Sequence, residues 1–156
     1  MVNFQFEALL DEPFRHLPAH TDAELAALGV RRVVVDESPG YPCRVSLSDA
    51  EVGEVVYLLS HVHHDVDSPY RAAGPVFVRE GVATAKLSPN EIPRMLRHRL
   101  LSVRAYDEAA LMLEADVVQG DVLEDTIQRF LENPAVSYLH VHNAKQGCFN
   151  CRVERA

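Results

Sequence analysis

Residues 137–155 read SYLHVHNAKQGCFNCRVER, and they bring two histidines, an amide and two thiols together within a dozen positions. If Ser137 to His142 is a strand, side chains alternate between faces, so His140 and His142 point the same way, Tyr138 joins them, and Leu139 and Val141 face the core. Asn143 to Gly147 then has the composition of a turn, and Cys148 starts the returning strand. The stretch therefore predicts a C-terminal β-hairpin with imidazoles on one strand and thiols on the other.

Working outward, the segment before the hairpin predicts a helix over about Asp121 to Glu132. Asp121 and Glu124 stand at capping-box spacing, Leu123, Ile127, Phe130 and Leu131 form an apolar stripe, and Asn133-Pro134 stops it. Upstream, Leu100 to Ala105 and Leu111 to Val118 predict a hairpin around Asp107 to Ala110. Further apolar runs predict strands at Val2 to Phe6, Arg31 to Asp36, Cys43 to Leu47, Glu54 to Ser60, Pro75 to Arg79 and Ala83 to Leu87. Thr21 and Glu24 have the spacing of a capping box, which predicts a short helix to Leu28 closed by Gly29; Pro89 to His98 is a second short helix with Pro93 in its first turn. The expected architecture is α+β: residues 1–156 as a single domain, a mainly antiparallel sheet with two or three helices, and the C-terminal hairpin in the sheet.

At 156 residues and 47% hydrophobic content, the chain suffices for one domain with a real core. Lys plus Arg total 15 against 23 Asp plus Glu, a net charge of -8, which argues against nucleic acid or an anionic membrane surface as partner. A small-molecule ligand is the expected partner, and the oligomeric state is left open. No basic-then-apolar leader opens MVNFQFEALLDEPFR and no apolar run approaches a membrane span, so the expected location is cytoplasmic. Three cysteines, an odd number, favour reduced thiols over a disulfide framework.

Four groups of the hairpin are candidate metal ligands: His140, His142, Cys148 and Cys151. Zinc, which takes imidazole and thiolate in about fourfold coordination, is the candidate ion. In a regular strand positions 148 and 151 face opposite sides, so His140, His142 and Cys148 are favoured over all four, with Asn143 or Tyr138 beside an open position. The alternatives are structural thiols with hydrogen-bonded histidines, or a reactive thiol. Cys43 beside Arg44 is a second place where a guanidinium adjoins a thiol, and a compact sheet is expected to bring it to the hairpin, so that Cys43, Cys148 and the His140/His142 face border one pocket with Arg44 or Arg104; the candidate catalytic groups are Cys43, Arg44, Asn143 and Arg104. Arg71, Arg79 and Arg152 are further guanidinium candidates, with surface ion pairing as the simpler reading.

Two motif likenesses are incomplete. HVHN resembles the start of the histidine-triad nucleotide hydrolases, but Ala144 occupies the third histidine's place. HVHHDV resembles the metallo-β-lactamase signature at His61, His63 and Asp65, with Val66 where its last histidine belongs; a solvated polar loop is the expected structure there. Taken with Gly40-Tyr41-Pro42-Cys43-Arg44, Ser68-Pro69-Tyr70-Arg71, Gly74-Pro75-Val76-Phe77-Val78-Arg79 and Arg104-Ala105-Tyr106, the terminal HVHNAxxGCFxCR motif resembles a bacterial family of short stand-alone proteins known as a domain of unknown function. The resemblance runs nearly end to end. It implies a stand-alone cytoplasmic protein with no agreed activity, and His61, His63 and His64 lie outside its pattern. Three classes compete: a metal- or thiol-dependent enzyme acting on a small molecule, a non-catalytic binding module stabilised by metal, and a plain interaction domain.

Overall fold

A computed structural model describes all residues, 1–156. Its strands are β1 (Phe4–Glu7), β2 (Arg31–Val34), β3 (Pro42–Cys43), β4 (Ser48–Asp49), β5 (Val55–His64), β6 (Ala72–Arg79), β7 (Leu100–Tyr106), β8 (Met112–Gln119), β9 (Tyr138–Asn143) and β10 (Phe149–Arg155). The helices are α1 (Asp22–Ala27), α2 (Arg94–Arg97) and α3 (Leu123–Leu131), with single 3-10 turns at Glu12–Phe14, Leu17–Ala19 and Gly120–Val122. The strands form two five-stranded sheets rather than the one expected: β1-β10-β9-β7-β8 and β2-β5-β6-β3-β4. Every pairing is antiparallel except β3 with β6. No helix is long and apolar enough to cross a membrane.

The C-terminal hairpin lies inside the first sheet, β9 bonded to β7 and β10 to β1. Period-two alternation then sorts its side chains. Leu101, Val103, Ala105, Leu139, Val141, Cys151 and Val153 join the main core with Leu123, Ile127, Phe130 and Leu131 of α3. The opposite face of β7 and β9 carries Ser102, Arg104 and Tyr106 across from His142, His140 and Tyr138. The second sheet has its own core, in which Tyr57, Leu59, Val76 and Val78 pack with Leu17 and Leu25.

Several elements differ from the sequence-based expectation for identifiable reasons. Cys43 to Leu47 is not one strand, because the chain turns at Arg44 to Leu47, where Leu47 takes a positive φ of 49°. Ala83 to Leu87 is no strand; Ala85 N–H donates to the Val45 carbonyl, but no ladder forms. The helix expected over Pro89 to His98 is confined to Arg94–Arg97 behind an extended Pro93. Helix α3 follows the 3-10 turn without a side-chain cap, so the Asp121–Glu124 box does not form. The most consequential difference is β5, which runs through His64 rather than ending at Ser60.

Candidate metal centre

The extended β5 positions the site. Its pairing with β6 matches His61 to Gly74 and His64 to Ala72, so three steps on one strand span two on the other, a β-bulge. Neighbours on a regular strand point to opposite faces. The bulge removes that constraint, and His63 and His64 both reach the rings of the first sheet: His63 stacks on Phe149 at 5.0 Å between centroids, and His64 lies 4.7 Å from His140.

His140 and His142 meet His63 there. The ring centroids of His63 lie 5.2 Å from His142 and 6.3 Å from His140, and one ligand atom of each of the three histidines lies within 4.8 Å of the others. His140 and His142 are 2% and 1% exposed. Nδ1 of His142 is 2.9 Å from the Gly147 carbonyl, which can only accept, so Nδ1 carries the proton and Nε2 presents a bare lone pair. That Nε2 is buried without a partner, as are Nδ1 of His63 and Nδ1 of His140. Buried polar atoms are nearly always paired, and each unpaired one costs about 1–3 kcal/mol. Each of the three clustered rings carries one, and a shared cation is a common explanation.

The donor chemistry fits zinc or a similar divalent transition ion, which binds imidazole nitrogen at about 2.1 Å; tetrahedral geometry then places the nitrogens about 3.4 Å apart, so ligand atoms now within 4.8 Å of one another would draw together around the ion. The Gly147 carbonyl would orient the His142 ligand from behind, an arrangement usual for metal-bound histidine. Burial is the leading cause that depresses all three imidazoles, His140 to about 2 and His63 and His142 to about 4, assisted at His63 and His142 by the Arg104 guanidinium. Their lone pairs are consequently free of protons at neutral pH.

Around the three, the contacts are filled. His64 donates from Nδ1 to the Tyr70 carbonyl at 2.8 Å and accepts at Nε2 from the Tyr138 hydroxyl at 2.5 Å, so it is a satisfied wall residue. Tyr138 stacks on Tyr106, and the Arg152 guanidinium lies 3.9 Å from the Tyr138 ring centre. A cavity of about 200 Å³ bordered by Glu7, Asp65, Phe149 and Arg152 reaches His63 and His140.

The four expected ligands are divided. His140 and His142 stand together, while Cys151 pairs with Val141 on the core face, 1% exposed, where burial pushes its thiol up. Cys148 is not in the cluster; its sulfur accepts from Arg44 Nη2 at 3.1 Å and Asn143 Nδ2 at 3.4 Å. The four expected catalytic groups are divided as well. Arg44 does reach the hairpin, but Cys43 sits in a separate core with Val35, Ala50 and Val56, its thiol pushed up to about 12 by burial. Arg104 donates to Ser102 Oγ at 3.2 Å on the histidine face of β7. Arg71, Arg79 and Arg152 form ion pairs with Asp65, Glu54 and Glu154. His63, which the sequence places in a motif likeness but assigns to a solvated loop, joins the cluster instead. The HVHHD run was visible, but only the β6 partner and the bulge turn it from a polar loop into a ligand-bearing strand.

Fold and site define a two-sheet α+β protein whose sheets meet at a largely buried three-histidine cluster. Residues 40–155 match the family model described as "Protein of unknown function (DUF1203)", and the chain belongs to that family. No curated protein and no solved structure matches the chain.

Proposed function

We propose that this protein is a metal-dependent enzyme acting on a small molecule, with a zinc-like ion held by His63, His140 and His142. The observation that carries the reading is the cluster of His63, His140 and His142, one ligand atom of each within 4.8 Å of the others and each ring holding a buried nitrogen without a partner, with no fourth protein ligand among them. Three protein ligands leave a coordination position for water, whose pKa such an ion lowers to about 7, which is the basis of hydrolytic catalysis. The cavity bordering His63 and His140 gives that position access and limits the substrate to a small molecule. Phe149 stacked on His63 excludes water from one side. The competing reading, a non-catalytic domain stapled by a closed four-ligand site, requires a thiol that the geometry puts elsewhere.

The test is metal analysis and X-ray absorption on untagged protein. The expected result is one divalent transition ion per chain, a first shell of nitrogen and oxygen without sulfur, loss of the ion in His63→Ala, and its retention in Cys148→Ala and Cys151→Ser. A sulfur scatterer in the first shell, or metal-free protein throughout, overturns the proposal.

A further inference from the structure

A second pocket, of about 660 Å³, opens beside Cys148 and is lined by Arg44, Asn143, Lys145 and Gln146 among others, but by none of the three histidines of the metal centre. Arg44 is its base. This guanidinium is 1% exposed, and its donors go to the Phe149 carbonyl at 2.7 Å, to the Pro42 carbonyl, and to Cys148 Sγ. No carboxylate pairs with it. A buried cation without a counter-charge is strongly unfavourable, and among the groups it donates to only the sulfur of Cys148 can carry negative charge.

A second donor converges on the same sulfur. The Asn143 amide is oriented by Asn150, itself fully buried, whose Nδ2 donates to Asn143 Oδ1 at 2.8 Å and so leaves Asn143 Nδ2 facing Cys148. Charged and neutral donors fixed in advance around one atom stabilise an anion there without reorganisation. The other thiols lack this surrounding: Cys151 lies in the main core, and Cys43 donates to the Tyr41 carbonyl. At the rim, Arg99 and His98 are both engaged with Asp49, while Lys145, three residues from Cys148, and Glu37, on the loop before β3, are exposed and make no ion pair.

We propose that Cys148 is a nucleophile, that Arg44 and Asn143 stabilise its sulfur as an anion, and that the pocket takes small electrophiles bearing a carboxylate or other anionic group. In the reaction the sulfur forms a bond to the electrophilic carbon, the bond from that carbon to its leaving group breaks, and the leaving group departs with the electron pair. The thiol proton passes to solvent. This chemistry is independent of the metal centre.

Iodoacetate and iodoacetamide perform the same displacement of iodide and differ in charge, so the ratio of their rates cancels the intrinsic reactivity of the sulfur and reports the field of the pocket. With the full-length protein as purified, and the modified residue located by peptide mass, both reagents are expected to label Cys148 and spare Cys43 and Cys151. The iodoacetate-to-iodoacetamide ratio should exceed that of free cysteine in the same buffer by roughly tenfold, the scale of one or two nearby charges at intermediate dielectric. Lys145→Ala, which removes an exposed side chain, should lower that ratio by roughly threefold, as expected for one partly screened charge. A wild-type ratio no higher than that of free cysteine, a thiol that reacts only after denaturation, or an unchanged ratio in Lys145→Ala overturns the proposal.

Discussion

Protonation of two buried imidazoles and one half-buried one ties the centre to folding. In the unfolded chain each histidine titrates near 6.5, whereas His63 and His142 are held at about 4 and His140 at about 2, first of all by burial. Between these values the unfolded state binds more protons than the folded state, so stability rises with pH and is lost as pH falls below about 6.5. Ordinary carboxylates titrate lower, which isolates the imidazoles between pH 7.5 and 5.5. Chelator-treated protein should show a urea midpoint that falls across that interval, and His140→Phe should lessen the fall. A midpoint that is flat from 7.5 to 5.5 would show that the folded imidazoles take up protons as freely as the unfolded ones. Residue identity was legible in sequence for His140 and His142, because strand alternation alone puts both on one face. It was not legible for His63, whose direction depends on a ladder with a strand some ten residues downstream.

At the scale of elements, what the sequence shows best is what is local. The Thr21–Glu24 capping box is present, Thr21 Oγ1 accepting from Glu24 N–H at 3.2 Å and Glu24 Oε1 accepting from Thr21 N–H at 3.3 Å. The α3 stripe also buries as its spacing predicts, Leu123, Ile127, Phe130 and Leu131 all lying in the core. Junctions between elements are another matter, and Gly120 is the case in point. Its N–H donates to the Arg99 carbonyl at 2.8 Å, and a β-carbon there would stand 1.8 Å from the Leu96 carbonyl oxygen. The backbone of α2 and the entry to α3 touch at a distance that only a residue without a side chain permits. Gly120→Ala should therefore destabilise the protein by about 1–3 kcal/mol, the usual cost of forced overpacking, measured by chemical denaturation, with the metal content of the remaining folded protein unchanged. A loss below about 0.5 kcal/mol, the range of an ordinary surface change, would mean the junction yields without strain.

For the whole molecule, the expected α+β class and the C-terminal hairpin are present, but their division into two sheets was not legible. The pattern of apolar residues specifies which face of a strand is buried and not which strand lies beside it; both sheets use the same alternation. The candidate ion would join them, since His63 belongs to one sheet and His140 and His142 to the other. A ligand held only by the folded state stabilises it by mass action, about 2.7 kcal/mol at a hundredfold excess over its dissociation constant. Zinc added to chelator-treated protein should raise the melting temperature of one cooperative transition, and the same addition to His63→Ala should leave it in place. A rise of equal size in that variant would locate the stabilising ion elsewhere.

The bulge between His61 and His64 gives the centre an unusual kind of inheritance. Most sites are lost by exchanging one side chain for another. Here all three histidines can survive intact and the centre still vanish, because dropping Val62 restores the regular ladder and swings the His63 imidazole to the other face. Vulnerability lies in the count of the chain as much as in its letters, and relatives that keep the HVHN stretch but differ by one position in this segment would carry the ligands without the place in which they meet.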